Sequence, residues 1–430
     1  MTKRYDLRMM LYFFAIYILY RLTLDYIYVA AVEPFFEYQH FEVVNNIGNY
    51  IFSFIWLGLI CLFDYRLFKS LRPSASFMWF LDLLYFVPLT SMVGIAGYEH
   101  DFVAYGFLFW LLFSIFYRLL PSYSYKESQK IVNTPKSVIA ILGVVVFINF
   151  IITIYYNGFQ IKFDLTDVYD IRMDVRDMHL PTIVGYIKPM ATQFLMILMC
   201  ICIIQKKYTY VFALVFVQLM NFAFGALKSD LFILLAVFAI GFFYKEKHRK
   251  LIPLVFLSAN LIAIVEFYIL GFSTIATLFQ RRMMFMPSLL SSEFFSFFST
   301  HEALYLRDSF LRVFGFSTPY SMEGPRLIGY ELYGSQDMNA NTGIVGDDFA
   351  QLRWIAVLVY PFLRVKILQA FDYCAKGINY KVLFLLAFSF SLAFISGSLF
   401  SILLTGGFIA VCLVLYLWRK DGKKIKNQFL

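Results

Sequence analysis

Residues 137–156 read SVIAILGVVVFINFIITIYY, twenty positions without an Asp, Glu, Lys or Arg. A helix of about 20 apolar residues spans the hydrocarbon core of a bilayer, and an uncharged run of this length has no use in a water-soluble core. The same pattern repeats on both sides, near 9–32, 47–65, 75–97, 102–120, 181–205, 208–226, 231–244, 251–270, 354–371, 382–398 and 400–418. Bulk composition agrees. Of 430 residues, 61% are hydrophobic and 15% charged, with mean hydropathy +0.70. Soluble domains run to about 25% charged residues. The sequence therefore predicts an all-α polytopic integral membrane protein of about twelve transmembrane helices. The segment at 231–244 is short for a full crossing and is expected to begin within the preceding turn or to cross where the protein is thin.

Orientation follows from the basic residues, since loops rich in Lys and Arg stay cytoplasmic. With the N-terminus inside, most of them fall on one side: Lys3, Arg4 and Arg8; Arg66, Lys69 and Arg72; Arg118, Lys126, Lys130 and Lys136; Lys206 and Lys207; Lys245, Lys247, Arg249 and Lys250; Arg364, Lys366, Lys376 and Lys381; and the tail from Arg419 to Lys426. Both termini are then inside. The N-terminal stretch lacks a small-residue cleavage site and is read as the first membrane helix, not a signal peptide. Cys61, Cys200, Cys202, Cys374 and Cys412 lie in the bilayer or on the cytoplasmic side, so no disulfide is expected, and their spacing suits no metal. The organisation expected is residues 1–270 as spans one to nine, with an outer loop at 157–180; residues 271–353 as a large, helical outer cap; and residues 354–430 as three further spans and a cytoplasmic tail.

The two outer segments break the charge rule in an informative way. They hold Arg172, Arg176, Arg281, Arg282, Arg307, Arg312, Arg326 and Arg353, but one lysine, Lys162. Lysine suffices for topology, whereas arginine offers a planar fork that grips phosphate or carboxylate with paired hydrogen bonds. An outer face selective for arginine suits an anionic, phosphate-bearing substrate; pairing with nearby acids to hold the loops is the plainer account. Arg172 and Arg176 lie four apart, on one face if helical, with Asp174 and Asp177 as alternative partners. Lys188, inside the sixth span, is ionisable at membrane depth and hence a candidate, with snorkelling as its alternative. Lys228, at the turn 224–230, either meets a phosphate or pairs with Asp230.

Arg281 and Arg282 precede Pro287 and the aromatic tract Phe294-Phe295-Ser296-Phe297-Phe298. That order fits an interfacial helix with arginines toward headgroups and rings toward lipid. The stretch Asn339-Ala340-Asn341-Thr342-Gly343 runs on to Gly346-Asp347-Asp348. Its small and amide residues favour a turn that supplies hydrogen bonds. Asp347 is a candidate general base toward a sugar hydroxyl, with a helix N-cap and dipole partner as its alternative; Asp348 reads mainly as such a helix-start acid. Of the histidines, His179 and His301 are placed outside, His40 and His100 near outer turns, and no two have metal-ligand spacing. Within the membrane, Arg21 and Asp25 are four apart and are expected to neutralise each other, while Asp82 and Glu266 are further buried ionisable candidates of the kind transporters use.

Taken in order, Arg172 and Arg176, the junction Gly225 to Ser229, Arg281-Arg282 with Pro287 and the aromatic tract, and Asn339-Ala340-Asn341-Thr342-Gly343 with Gly346-Asp347 resemble the bacterial oligosaccharide repeat-unit polymerases, the Wzy-type O-antigen and capsule polymerases. The resemblance lies in topology over most of the chain and in residues between about 165 and 360. It implies a GT-C-like architecture with a periplasmic cap, in the bacterial inner membrane, and a metal-independent glycosyltransferase without cofactor. Its substrates would be undecaprenyl-pyrophosphate-linked oligosaccharides, with membrane lipids around it, a polysaccharide chain-length regulator as a further partner, and no nucleic acid. The growing chain would pass from its lipid carrier to the incoming lipid-linked unit, in lipopolysaccharide or capsule synthesis. Under this reading Arg172, Arg176, Arg281 and Arg282 hold pyrophosphate, with Arg326, Lys188 and Lys228 as further cations. Asp347 is the base, and Asn341 and His301 contact sugar. Two other readings stay open: an O-antigen ligase, with lipid A core as acceptor, and a lipid-linked oligosaccharide flippase, which should show cations in a central cavity and pseudo-symmetric repeats.

Overall fold

The computed structural model describes residues 2–120, 133–156, 181–225, 228–309, 311–335 and 337–427. Among the described residues the regular structure is all helical. In chain order the helices are α1 (Leu7–Gln39), α2 (Ile47–Phe68), α3 (Pro73–Ile95), α4 (His100–Leu119), α5 (Lys136–Tyr156), α6 (Ile183–Ile204), α7 (Tyr208–Ala223), α8 (Phe232–Phe243), α9 (Glu246–Leu270), α10 (Met286–Thr300), α11 (Gly324–Tyr333), α12 (Gly346–Cys374), α13 (Tyr380–Ser396) and α14 (Leu399–Lys420). Nine of these are long and apolar enough to cross a membrane, so the chain is a multi-pass membrane protein. The shorter apolar α7, α8 and α13 fall where the seventh, eighth and eleventh spans are expected. Helical turns leading into α8 begin at Lys228, which lengthens that segment in the way its sequence requires.

Prolines leave a regular mark on the helices. A proline ring clashes with the carbonyl four residues back and offers no N–H, so the turn before it must widen or kink. Three π-helical stretches stand immediately ahead of prolines: Tyr28–Val32 before Pro34, Asp82–Phe86 before Pro88, and Ala276–Phe285 before Pro287.

The chain divides into two compact units. The first comprises Met1–Ser122, Lys247–Gln369 and Ser391–Phe400, so residues 271–353 pack with the first four helices. Its centre is α3, buried along its whole length and packed by α1, α2 and α10. Several polar groups in this core turn to one another, because lipid offers no other partner. Arg21 is ion-paired with Asp25, as its spacing predicts. Its Nε also donates to the Thr90 hydroxyl at 3.2 Å, and one Nη to the Thr90 carbonyl at 2.8 Å. The guanidinium needs Gly94 beside it, since a Cβ there would lie 2.7 Å from Arg21 Nη2. Asp82 is fully buried and accepts from Trp110 Nε1 at 2.9 Å, while Tyr17 donates to Asp64.

The second unit comprises Tyr123–Glu246, Ala370–Phe390 and Ser401–Leu430. Helix α6 is its axis, touching α5, α7, α8 and α14. Lys381 Nζ donates to the Gly241 carbonyl at 2.6 Å and ties the start of α13 to the end of α8.

Three expectations change. Glu266 is not buried; at the end of α9 it accepts from the Ser273 hydroxyl at 2.7 Å and the Ile275 N–H at 3.0 Å, bending the chain into the next segment. The aromatic tract does not face lipid: Phe294, Phe295 and Phe298 are buried, with Phe295 4.2 Å from the Phe349 ring. Arg364 is not an inner-loop charge. Helix α12 starts at Gly346 instead of 354, which moves Arg364 to mid-helix, where only 1% of its side chain is exposed.

Breaking a buried ion pair from one side leaves an uncompensated charge, at a cost of about 3–5 kcal/mol. Arg21→Leu is therefore expected to lower the melting temperature of the detergent-solubilised protein more than Arg21→Leu/Asp25→Leu does. A double-variant loss equal to the sum of the Arg21→Leu and Asp25→Leu losses would show that the pair is not coupled.

Candidate functional site

All of the candidate geometry described here belongs to the first unit, and α10 organises it. The helix is entered through Arg281 and Arg282. Arg281 is buried; its Nη1 donates to Gln39 Oε1 at 2.6 Å, and its guanidinium lies 3.9 Å from the Phe36 ring centroid. Stacking and a hydrogen bond hold the planar fork in one orientation. Arg282, next to it, is exposed.

Two turns further on, Ser291 lies 3.0 Å from the Thr342 hydroxyl and accepts from Tyr85 at 2.8 Å. Through Thr342 the Asn339–Gly343 loop is docked onto α10. The loop also adds backbone hydrogen bonds from Gly343 to the Ile395 carbonyl and from Ile344 to the Phe394 carbonyl, both 3.0 Å. Glycine is required at 346, where a Cβ would meet Ser291 Cα at 2.7 Å. Between them Val345 has φ +74 and ψ −65, and the Gly346 N–H returns to the Ile344 carbonyl at 3.0 Å. This is a γ-turn of the strained hand, unusual for a β-branched residue. Such strain persists only where the surroundings over-determine it, and it clusters at functional sites.

The turn delivers Asp347 and Asp348 into the core. Asp348 is fully buried and ion-paired with Arg364 through two hydrogen bonds. That bidentate pair is the physical role of Asp348, beyond the helix-start acid its position suggested. Asp347 is 5% exposed and 3.5 Å from Gln351 Nε2. The same amide nitrogen donates to Asp308 at 3.1 Å, and Gln351 Oε1 accepts from the Leu306 N–H at 2.8 Å. Burial pushes the Asp308 carboxyl above the usual carboxylate range, against the lowering pull of Gln351 and the Gly324 N–H.

A third cluster lies where α1 ends. His40 takes a left-handed backbone, φ +65, with its N–H to the Glu37 carbonyl at 2.8 Å. Its Nδ1 is 2.8 Å from Glu293 Oε1, and its ring stacks on Tyr333 of α11 with centroids 4.8 Å apart. The Tyr333 hydroxyl sits 2.8 and 3.0 Å from the two Glu293 oxygens. Burial raises the Glu293 carboxyl, opposed by the hydrogen bonds from His40 and Tyr333.

The other sequence candidates are dispersed. His301 is exposed, stacked on Phe297 at 4.0 Å, with its carbonyl accepting from Arg353. Arg307 pairs with Glu302 at 2.6 Å and Arg312 with Glu323 at 2.7 Å; for these two the plainer account of loop pairing holds. Arg326 and Asn341 are exposed, and among the described residues Arg282 and Arg326 make no ion pair. Lys188 is half-buried in α6 of the second unit, and Lys228 opens the turns before α8. Arg172 and Arg176 lie outside the described residues. Among the described residues no group of His, Cys, Asp and Glu could hold a metal ion.

Sequence reasoning missed Arg364, Gln39, Glu293 and Tyr333. Glu293 carried a signal, as the one charged residue between Arg282 and His301.

A carboxyl whose pKa is raised by folding contributes stability below its unfolded pKa and loses it as pH rises through the folded value. Asp308→Asn keeps an acceptor for Gln351 but cannot ionise; Asp347 and Glu323 are the other acids facing it. As pH rises above the ordinary carboxylate range, the melting temperature of the native protein should fall relative to that of Asp308→Asn. A constant difference would count against a strained Asp308 carboxylate.

No protein-family model, curated protein or solved structure matches the chain, which is an all-α, multi-pass membrane protein with a strained loop docked on α10.

Proposed function

We propose that this chain is a multi-pass glycosyltransferase of the bacterial inner membrane that polymerises oligosaccharide repeat units carried on undecaprenyl pyrophosphate. About twelve spans, both termini inside and a periplasmic cap formed by residues 271–353 make up the architecture of this reading. The growing chain leaves its carrier and is joined to the incoming lipid-linked unit, and undecaprenyl pyrophosphate is released.

The observation that carries the reading is the Arg281–Arg282 pair, with the first guanidinium fixed by Phe36 and Gln39 and the second exposed. Negative charge builds on the pyrophosphate as the anomeric C–O bond breaks. Donors already oriented toward that charge lower the barrier without reorganising during the reaction. Arg326, exposed in the same unit, is a further cation in this proposal. The docked loop supports the reading from the other side. It presents Asn341 outward while Thr342, Gly343 and Gly346 anchor it to α10 and α13. Asp347 is nearly sealed beneath that loop, which suits shaping it better than meeting a sugar hydroxyl.

The test is purified protein with a synthetic lipid-pyrophosphate-linked repeat unit, scored for dimer and longer products. Wild type should extend the unit. Arg281→Ala should lower turnover by about 100-fold or more, the usual loss for one oriented transition-state donor. Arg281→Lys should recover little, since it keeps charge but loses the stacked fork. Movement of the intact unit across a vesicle membrane without extension would favour a flippase, and transfer only to lipid A core a ligase.

A further inference from the structure

A transfer of this kind needs an acceptor for the hydroxyl proton, and that acceptor must reach the reacting oxygen. Asp347 and Asp348 are buried, one beside Gln351 and Asp308 and the other locked to Arg364. The His40 side chain is 46% exposed, while its partner Glu293 is only 10% exposed. This pairs an outward imidazole with an inward carboxylate.

We propose that His40, oriented by Glu293 and Tyr333, is the base that takes the proton from the attacking sugar hydroxyl. The assignment rests on the glycosyl-transfer reading above. A hydrogen bond from Nδ1–H to Glu293 sets the tautomer and leaves the Nε2 lone pair as the acceptor. Glu293 is held in turn by the Tyr333 hydroxyl on both oxygens, and the Tyr333 ring backs the imidazole. A base oriented by a third group is the arrangement that activates a hydroxyl nucleophile. Placement agrees with the leaving-group side. His40 follows directly on Gln39, which accepts from Arg281, so one short turn at the end of α1 touches both the fixed guanidinium and the base. The left-handed backbone of His40, hydrogen-bonded to Glu37, is what lets the chain present both side chains there.

In the step, the hydroxyl O–H bond breaks and its proton passes to His40 Nε2. The oxygen forms a bond to the anomeric carbon of the growing chain. The bond from that carbon to the pyrophosphate oxygen breaks, and its electron pair leaves with undecaprenyl pyrophosphate. The imidazolium then returns its proton to water from the exposed ring edge. Here His40 is catalytic and Glu293 is a positioning residue.

Chain extension is measured with the synthetic lipid-linked unit in full-length His40→Gly, His40→Gln and Glu293→Gln. General-base removal costs typically 100-fold or more, so His40→Gly and His40→Gln should lose about that in kcat with KM little changed. Glycine accepts the left-handed conformation at 40, so His40→Gly keeps the turn and opens a space for added imidazole. Imidazole should then restore extension in His40→Gly and leave His40→Gln unaffected. Glu293→Gln should lower kcat per folded molecule at unchanged KM, whereas a loosened fold would lower only the folded fraction and leave kcat per folded molecule at the wild-type value. Retention of wild-type kcat by folded His40→Gln, or failure of imidazole to rescue folded His40→Gly, overturns the role of His40 while leaving polymerisation by wild type standing. No extension by wild type removes the activity and this role together.

Discussion

A guanidinium or carboxylate inside a bundle of apolar helices has no water to turn to, and the first unit is arranged around that constraint. Arg364 and Asp348 meet it through a bidentate pair, and Arg21 and Asp25 through an ion pair one helical turn apart. Arg21 is further satisfied by Thr90 and Ser53. The Asp348–Arg364 pair does more than neutralise charge. It draws the first turn of α12 inward, and the strained turn at Val345, the docked Asn339–Gly343 loop and the placement of Asp347 all follow from where that turn is held. Among the described residues Arg364 Nε is left without a hydrogen-bond partner, so the pair contributes specificity of position more than net stability, and position is what this loop needs.

Helix α10 is the mechanical counterpart. Its aromatic face, Phe294, Phe295 and Phe298, is buried, while its polar positions reach different partners: Ser291 takes the loop, Glu293 takes His40 and Tyr333, and Arg281 at its entrance takes Gln39. One rigid element therefore sets the spacing among three groups of polar side chains. Rigid supports of this kind hold reacting groups in register.

The outer arginines divide by environment. Arg307 and Arg312 are committed to nearby glutamates, and their charge is spent on loop structure. Arg281 is held by a ring and an amide, partners that orient a guanidinium. Composition alone could not separate these cases, because both kinds of arginine look the same in a list.

The membrane class, the apolar segments and the Arg21–Asp25 pair were legible in the sequence because each is a local property: hydrophobic run length, or two residues one turn apart. The widened turns before Pro34, Pro88 and Pro287 are local too. The candidate site was legible only in part. The Asn339–Gly343 stretch and Arg281 stood out by composition. Arg364 was misplaced because a late helix start was assumed, and its partner lies sixteen residues back across a strained turn. His40 and Glu293 are 253 residues apart, and nothing in either neighbourhood predicts that they meet. Sequence settled which segments prefer lipid, since that depends on each residue's own transfer free energy. Tertiary packing decided which polar residues face one another, since that depends on how distant helices pass and which charges must be paired once water is excluded.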